Sequence, residues 1–307
     1  MSDLLLQPDH AREPLQASFS DEANPVGLDG VEFIEYATAS PQALGHVLEM
    51  MGFRPVARHR SREVLLYRQG GLNIVVNAHD ADPSVGAALG REAPAIGAVA
   101  LRVRDARSAY RWVLERGGWE VPTHPEAMEL NIPAIHGPGG SRIYLVDRWR
   151  EFSIYDVDFV PIPSVDPRPP AVAGQHFFGV VQYIGPGRSY DWIEFYRELF
   201  GLEVIPDEQR FGILPSGKLL RAPSVDPDSR FMLQLIEPGL DVDDGRERFQ
   251  RIGLGVPDVL AAVKALRALG MEFVETEAAH TERRGALTKT YLGGVVFELV
   301  HSERGGA

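Results

Sequence analysis

The sequence predicts an α+β protein built from four similar units, each containing one strand, one helix and about three further strands. In four segments, a strand-like run leads through a capping residue into an amphipathic helix, a glycine and another strand. Further short strand candidates follow each helix. A unit of this kind exposes one apolar sheet face, so we expect the four units to pair into two domains.

The first unit begins at residues 30–53, GVEFIEYATASPQALGHVLEMMGF. Ser40 stands where a helix N-cap is expected, Pro41 takes the first helical position, and Gly52 follows the last apolar residue of the helix face. The apolar runs within residues 63–69 and 72–78 predict two strands of the same unit.

The second unit begins at residues 97–121 and repeats the plan. Asp105 is the predicted helix cap and Gly117 the predicted end of the helix. The runs at 141–147 and 153–160 are rich in aromatic and β-branched residues, and we interpret both as strands.

The third unit begins at residues 179–205. Its helix carries Trp192, Phe195, Tyr196 and Leu199 at helical spacing. The run at 230–237 predicts a following strand.

The fourth unit begins at residues 251–276, with Asp258 as the predicted cap and Gly270 as the predicted helix end. Residues 287–292 and 295–301 predict two further strands.

A proline-rich segment, IPSVDPRPPAVAG at 162–174, separates the second unit from the third and is typical of a linker. No periodicity precedes residue 24. The predicted organisation is a flexible tail at 1–25, a first domain at 26–162, a linker at 163–173, a second domain at 174–303 and a short tail at 304–307.

Composition narrows the classes of function. The 307 residues include no cysteine, which excludes disulfides, thiolate nucleophiles and cysteine-ligated metal centres, so any metal would be held by His, Asp or Glu. A net charge of -12 argues against a nucleic-acid partner.

No apolar run is long enough for a membrane helix, and the N-terminus lacks a signal-peptide pattern, so we expect a cytoplasmic protein with a small-molecule partner.

Four segments of the N-terminal half are distinctive: NPVGLDGVEFIEYA at 24–37, the run at 48–77, MELNIPAIHGPGGSRIYLVDR at 128–148 and SIYDVDFV at 153–160. They resemble the first domain of the 4-hydroxyphenylpyruvate dioxygenase family, which belongs to the vicinal oxygen chelate superfamily. The C-terminal half is similar more loosely, through residues 190–201 and 295–301. The resemblance implies two vicinal oxygen chelate barrels, of which the first is structural and the second holds the site, and it suggests a homodimer.

In that family the second barrel binds one ferrous ion through two histidines and a glutamate. The resemblance carries these ligand positions onto Gly179, Arg251 and Glu298. Glycine offers no ligand, and a guanidinium stays protonated and does not ordinarily bind a metal ion. We therefore expect no metal cofactor; Fe(II) is expected only under the alternative that a loop histidine such as His280 replaces a missing ligand.

Two interpretations of Arg251 remain open. It is either a tolerated long side chain at an unused site, or a permanent cation that neutralises Glu298 or holds a carboxylate ligand. Gln234, Gln182 and Tyr183 are candidate wall residues of the site, or satisfied polar groups of the barrel interior.

The leading functional hypothesis is a metal-independent enzyme or a binding protein for a small aromatic or carboxylated metabolite. The first alternative is an active Fe(II)-dependent 2-oxo acid dioxygenase with a non-standard ligand. The second alternative is a non-catalytic structural partner subunit.

Overall fold

The computed structural model describes residues 22–78, 93–122, 129–150, 152–206, 217–226, 229–239, 246–277 and 279–303. The predicted tails at 1–25 and 304–307 lie outside these residues, apart from 22–25. Within that short stretch Asn24 is buried; its side chain accepts a hydrogen bond from the Leu28 N–H at 2.7 Å and donates one to the Leu28 carbonyl at 3.0 Å.

The first half of the chain forms an eight-stranded sheet in the order β6-β7-β5-β1-β4-β3-β2-β8. Its strands are β1 (Val31–Ala37), β2 (Arg54–His59), β3 (Val64–Gln69), β4 (Leu72–Asn77), β5 (Ala95–Arg102), β6 (Ala134–His136), β7 (Arg142–Val146) and β8 (Phe159–Pro161). Its helices are α1 (Pro41–Met50), α2 (Ala106–Glu115) and α3 (Ile154–Asp158). The central strands β1 and β5 run antiparallel, and each has a parallel neighbour on its other side.

The second half forms a seven-stranded sheet in the order β10-β11-β12-β9-β13-β15-β14. Its strands are β9 (His176–Tyr183), β10 (Glu203–Val204), β11 (Lys218–Arg221), β12 (Met232–Ile236), β13 (Arg248–Val256), β14 (Gly285–Leu287) and β15 (Phe297–His301). Its helices are α4 (Ser189–Phe200) and α5 (Val259–Ala268). The central antiparallel pair β9–β13, flanked by parallel neighbours β12 and β15, repeats the plan of the first sheet.

Helices α1, α2, α4 and α5 cover one face of each sheet, where apolar residues from both halves form a single core, while α3 packs on the opposite face of the first sheet. A smaller cluster, which includes Phe33, Leu66, Val146 and Tyr155, fills the opposite face of the first sheet. The two sheets therefore share one hydrophobic core, because the apolar faces of their helices and central strands meet there.

The predicted helix signals are confirmed at two caps. The Asp105 carboxylate accepts a hydrogen bond from the Ser108 N–H at 2.7 Å, and the Asp258 carboxylate accepts one from the Ala261 N–H at 2.9 Å. Ser40 occupies the N-cap of α1, but its side chain makes no capping hydrogen bond to the described residues. Helix α4 ends at Gly201, whose φ of 73° is the left-handed conformation that glycine adopts without strain.

Two strand predictions are wrong. Residues 153–160 form helix α3 before the short strand β8, because Ser153 and Asp156 make a reciprocal capping box that starts a helix there. Residues 287–292 contribute only Leu287 to a strand, since β14 ends at Leu287 and the chain turns back on itself between Tyr291 and Val295.

The proline-rich segment packs against the first sheet. The Gly70 N–H donates to the Pro169 carbonyl at 2.7 Å, and the side-chain oxygen of the fully buried Gln69 accepts a hydrogen bond from the Val172 N–H at 3.1 Å. Contacts with β3 thus hold the predicted linker in place. No helix in the described part of the chain is long and apolar enough to cross a membrane.

Candidate functional site

Strand pairing brings the three predicted ligand positions onto one face of the second sheet. Gly253 of β13 pairs with Gly179 of β9 on one side and with Glu298 of β15 on the other. Arg251 lies two residues before Gly253, so its side chain points to the same face as that of Glu298. The sheet therefore places a guanidinium and a carboxylate on neighbouring parallel strands, beside a pair of glycines.

Arg251 and Glu298 form a buried ion pair. Nε of Arg251 lies 3.0 Å from Oε2 of Glu298, and the two side chains are only 3% and 7% exposed. Nη1 of Arg251 donates a hydrogen bond to Oε1 of Gln250 at 2.9 Å. Nη2 is buried and has no hydrogen-bond partner among the described residues.

The electrostatics of this pair follow from its burial. A carboxylate or a guanidinium alone in a water-excluded position costs several kcal/mol, whereas a hydrogen-bonded pair compensates most of that cost. One donor of the Arg251 guanidinium remains unused, and a buried donor without an acceptor is itself unfavourable. Nη2 of Arg251 can thus donate a hydrogen bond to one more acceptor.

The candidate wall residues divide between the two faces of the sheet. Gln234 pairs with Val181, and Tyr183 lies two residues beyond Val181, so both belong to the face of Arg251. Both are partly buried, and the guanidinium of Arg248 lies 5.3 Å from the centroid of the Tyr183 ring.

Gln182 belongs to the opposite, helix-covered face. It is fully buried, and its side-chain oxygen accepts a hydrogen bond from the Tyr196 hydroxyl of α4 at 2.6 Å. Burial raises the pKa of Tyr196, which keeps that hydroxyl protonated as the donor. The structure therefore does not bring Gln182 together with Arg251 and Glu298, because neighbouring residues on a strand point to opposite faces.

Phe178, which is not among the predicted site residues, contributes an aromatic ring to this face. A register shift between β9 and β13 lies next to Gly253, and Phe178 falls in it. Its ring carbon Cδ1 would be 3.7 Å from a Cβ atom at position 253, so the ring lies beside the glycine pair. Strict alternation would have assigned Phe178 to the other face, and no sequence signal marks the shift.

The side chains of this site do not form a set of metal ligands. Position 179 has no side chain, and the Glu298 carboxylate is already bound to a permanent cation. His280, the proposed substitute ligand, is exposed in the loop between α5 and β14. Among the residues that the structure describes, no group of three or more His, Asp or Glu side chains is placed to hold a metal ion.

Sequence comparisons find relatives of this chain. The family described as hydroxyphenylpyruvate dioxygenase, HPPD, N-terminal, matches residues 22–160. A 4-hydroxyphenylpyruvate dioxygenase from Pseudomonas sp. (strain P.J. 874) is 41% identical over 184 residues, which are 59% of this chain and 51% of that protein. The 4-hydroxyphenylpyruvate dioxygenase of Pseudomonas aeruginosa is 32% identical over 276 residues, which are 86% of this chain and 76% of that protein. The chain thus spans about half the length of the first relative and about three quarters of the second.

A solved structure shares the fold. A mutant of 4-hydroxymandelate synthase from Streptomyces coelicolor superposes with a TM-score of 0.69 at 18% sequence identity, covering 91% of this chain and 95% of that chain. Together with the family match and the two sheets, this confirms the predicted α+β fold of vicinal oxygen chelate type.

Proposed function

Since the chain belongs to the 4-hydroxyphenylpyruvate dioxygenase family, we propose that its second barrel binds a small aromatic or carboxylate-bearing molecule without iron, for binding alone or for metal-independent catalysis. The observation that carries this proposal is the buried ion pair between Arg251 and Glu298. It stands where the family resemblance puts two of the three ligands of the ferrous ion.

The residues present do not fit a ferrous ion. A site that activates dioxygen needs three protein ligands and open positions for substrate and oxygen. Here Gly179 supplies no ligand, and the guanidinium of Arg251 would place a fixed positive charge against the incoming cation.

A carboxylate is the ligand group that this site is best suited to bind. The unused Nη2 donor of Arg251 needs an acceptor, and a guanidinium binds carboxylates with charge-assisted hydrogen bonds. Since Glu298 already occupies Nε, a ligand carboxylate would be held by the remaining donors, with Gln234 on the same face. The rings of Phe178 and Tyr183 on this face support an aromatic body for that ligand.

Metal analysis tests the iron-free part of the proposal. The protein is expressed in iron-supplemented medium, purified without chelators, and assayed for iron by elemental analysis and for oxygen uptake with 4-hydroxyphenylpyruvate. We expect iron far below one equivalent and no oxygen uptake. Stoichiometric iron with homogentisate formation would instead establish the alternative, an active dioxygenase, and loss of that iron in His280→Ala would identify the non-standard ligand.

Calorimetric titration tests the ligand class. The probes are 4-hydroxyphenylpyruvate, 4-hydroxyphenylacetate and benzoate, with 4-hydroxybenzyl alcohol as the matched neutral compound. We expect one or more carboxylates to bind, the alcohol to bind at least tenfold more weakly, and Arg251→Gln to abolish the difference. Failure of all the carboxylates to bind would contradict this assignment and leave the structural partner subunit as the better hypothesis.

A further inference from the structure

The backbone around Gly179 leaves no space for a side chain. An ideal Cβ atom built on Gly179 would lie 2.3 Å from the carbonyl oxygen of Met232 and 3.0 Å from its carbonyl carbon. Met232 is the residue of β12 that pairs with Gly179 in the parallel ladder. Both close atoms belong to the main chain, so no change of rotamer can relieve the contact.

The paired glycine on the next strand has a different environment. A Cβ atom on Gly253 would meet its nearest neighbours, two backbone atoms of Gly179 and the Phe178 ring, at 3.5 to 3.7 Å. These are ordinary van der Waals distances. Neither glycine has a positive φ, so the difference between the two positions is one of space alone.

We infer that the backbone of the second barrel excludes any side chain, and hence any metal ligand, at position 179. Introducing histidines at positions 179 and 251 therefore does not restore a metal site. Any side chain at 179 must push β12 away from β9 and so disturb the parallel ladder from Met232 to Ile236. The inference takes from the proposed function only the assignment of 179 and 251 as ligand positions.

Positions 179 and 251 differ from metal-ligand positions for different physical reasons. At position 251 only the side chain differs from a metal ligand, so a histidine there fits the backbone and loses only the ion pair with Glu298. At position 179 the backbone itself prevents a ligand, because the Met232 carbonyl fills the volume that a ligand side chain would need. The second barrel can therefore bind a ligand through hydrogen bonds and charge at Arg251, but not through a metal ion held at position 179.

A matched pair of alanine variants tests the steric part. Gly179→Ala is expected to lower the melting temperature of the protein by roughly 5 °C or more, while Gly253→Ala is expected to change it by about 2 °C or less. Equal melting temperatures for the two variants would overturn the inference. This comparison involves no metal, so its result is independent of the proposed function. The iron content of the wild-type protein tests the proposed function.

Metal titration tests the remainder. Arg251→His and the double variant Gly179→His with Arg251→His are titrated anaerobically with Fe(II) and with Co(II), using calorimetry and the visible absorption of Co(II). We expect the double variant to unfold or to bind neither ion at one equivalent, and Arg251→His to remain folded. A folded double variant that binds one equivalent of either ion would overturn the inference.

Discussion

The guanidinium of Arg251 and the carboxylate of Glu298 meet across the parallel strands β13 and β15, with 3.0 Å between Nε and Oε2. Both side chains are buried, and Gly253, which pairs with Glu298 in the ladder and follows Arg251 by two residues, carries no side chain. Each charge therefore depends on the other, since neither is compensated by water. Mutations at this pair should have effects that a surface ion pair would not show.

Removing the cation alone should be costly. Arg251→Ala leaves Glu298 buried and unpaired, and we expect the free energy of unfolding to fall by about 3 to 5 kcal/mol in urea denaturation. Arg267→Ala is the control, because Arg267 makes a half-exposed ion pair with Glu275 on the surface, and its loss should be close to neutral. A neutral effect of Arg251→Ala would show that the pair is unimportant for stability.

Removing both charges should separate stability from binding. Arg251→Met combined with Glu298→Leu replaces the pair with apolar side chains of similar size, so we expect it to recover most of the stability lost in Arg251→Ala. The double variant should nevertheless bind none of the carboxylate probes in calorimetric titration. Retained binding would place the ligand elsewhere in the molecule.

The Gln69 amide should stabilise the attachment of the proline-rich segment. Gln69→Met keeps the size of the side chain but removes the acceptor of the Val172 N–H, and it leaves the Met51 carbonyl with only the longer hydrogen bond from the Gln175 amide, at 3.3 Å. We expect a loss of about 1 to 3 kcal/mol in the free energy of unfolding. Gln42→Met on the exposed face of α1 is the matched control and should be close to neutral. If the two variants are equally stable, the segment is held by other contacts.

Glu35 should give the first barrel a pH-dependent stability. Burial raises the pKa of the Glu35 carboxyl above its ordinary value of 4.5, despite a hydrogen bond from the Asn77 amide at 3.1 Å. Because the folded state then holds the proton more tightly than the unfolded state, the contribution of this group is fully present below pH 4.5 and is lost as the pH rises through the folded pKa.

Glu35→Gln removes this titration and keeps an acceptor for Asn77. The free energy of unfolding of the wild type, relative to this variant, should therefore decrease from pH 4.5 toward neutral pH in parallel denaturation series. A difference that stays constant over this range would contradict the assignment.

The repeats and their helix ends could be predicted from the sequence because their signals are local. Asp105 and Asp258 cap helices through N–H groups three residues away, and Gly201 ends α4 in the left-handed conformation. The predicted strand at 153–160 is wrong for an equally local reason. Its β-branched and aromatic composition favours a strand, whereas the Ser153–Asp156 capping box starts a helix.

The site could be predicted only in part. Alternation along β9 puts Tyr183 and Gln182 on opposite faces, and the structure assigns Gln182 to the bond with Tyr196. Phe178 could not have been found, because its side of the sheet depends on a register shift that arises from how β9 meets β13.

The sequence by itself determined the four strand-and-helix repeats, the family, and the chemical identity of the side chains at positions 179, 251 and 298, because these depend on residue type and short-range spacing. Only the tertiary structure decided that Arg251 and Glu298 touch, that one guanidinium donor is left unused, and that the Met232 carbonyl fills the space beside Gly179. These features depend on the registers of four strands distant in the chain, and pairing across such distances is set by the packing of the whole sheet.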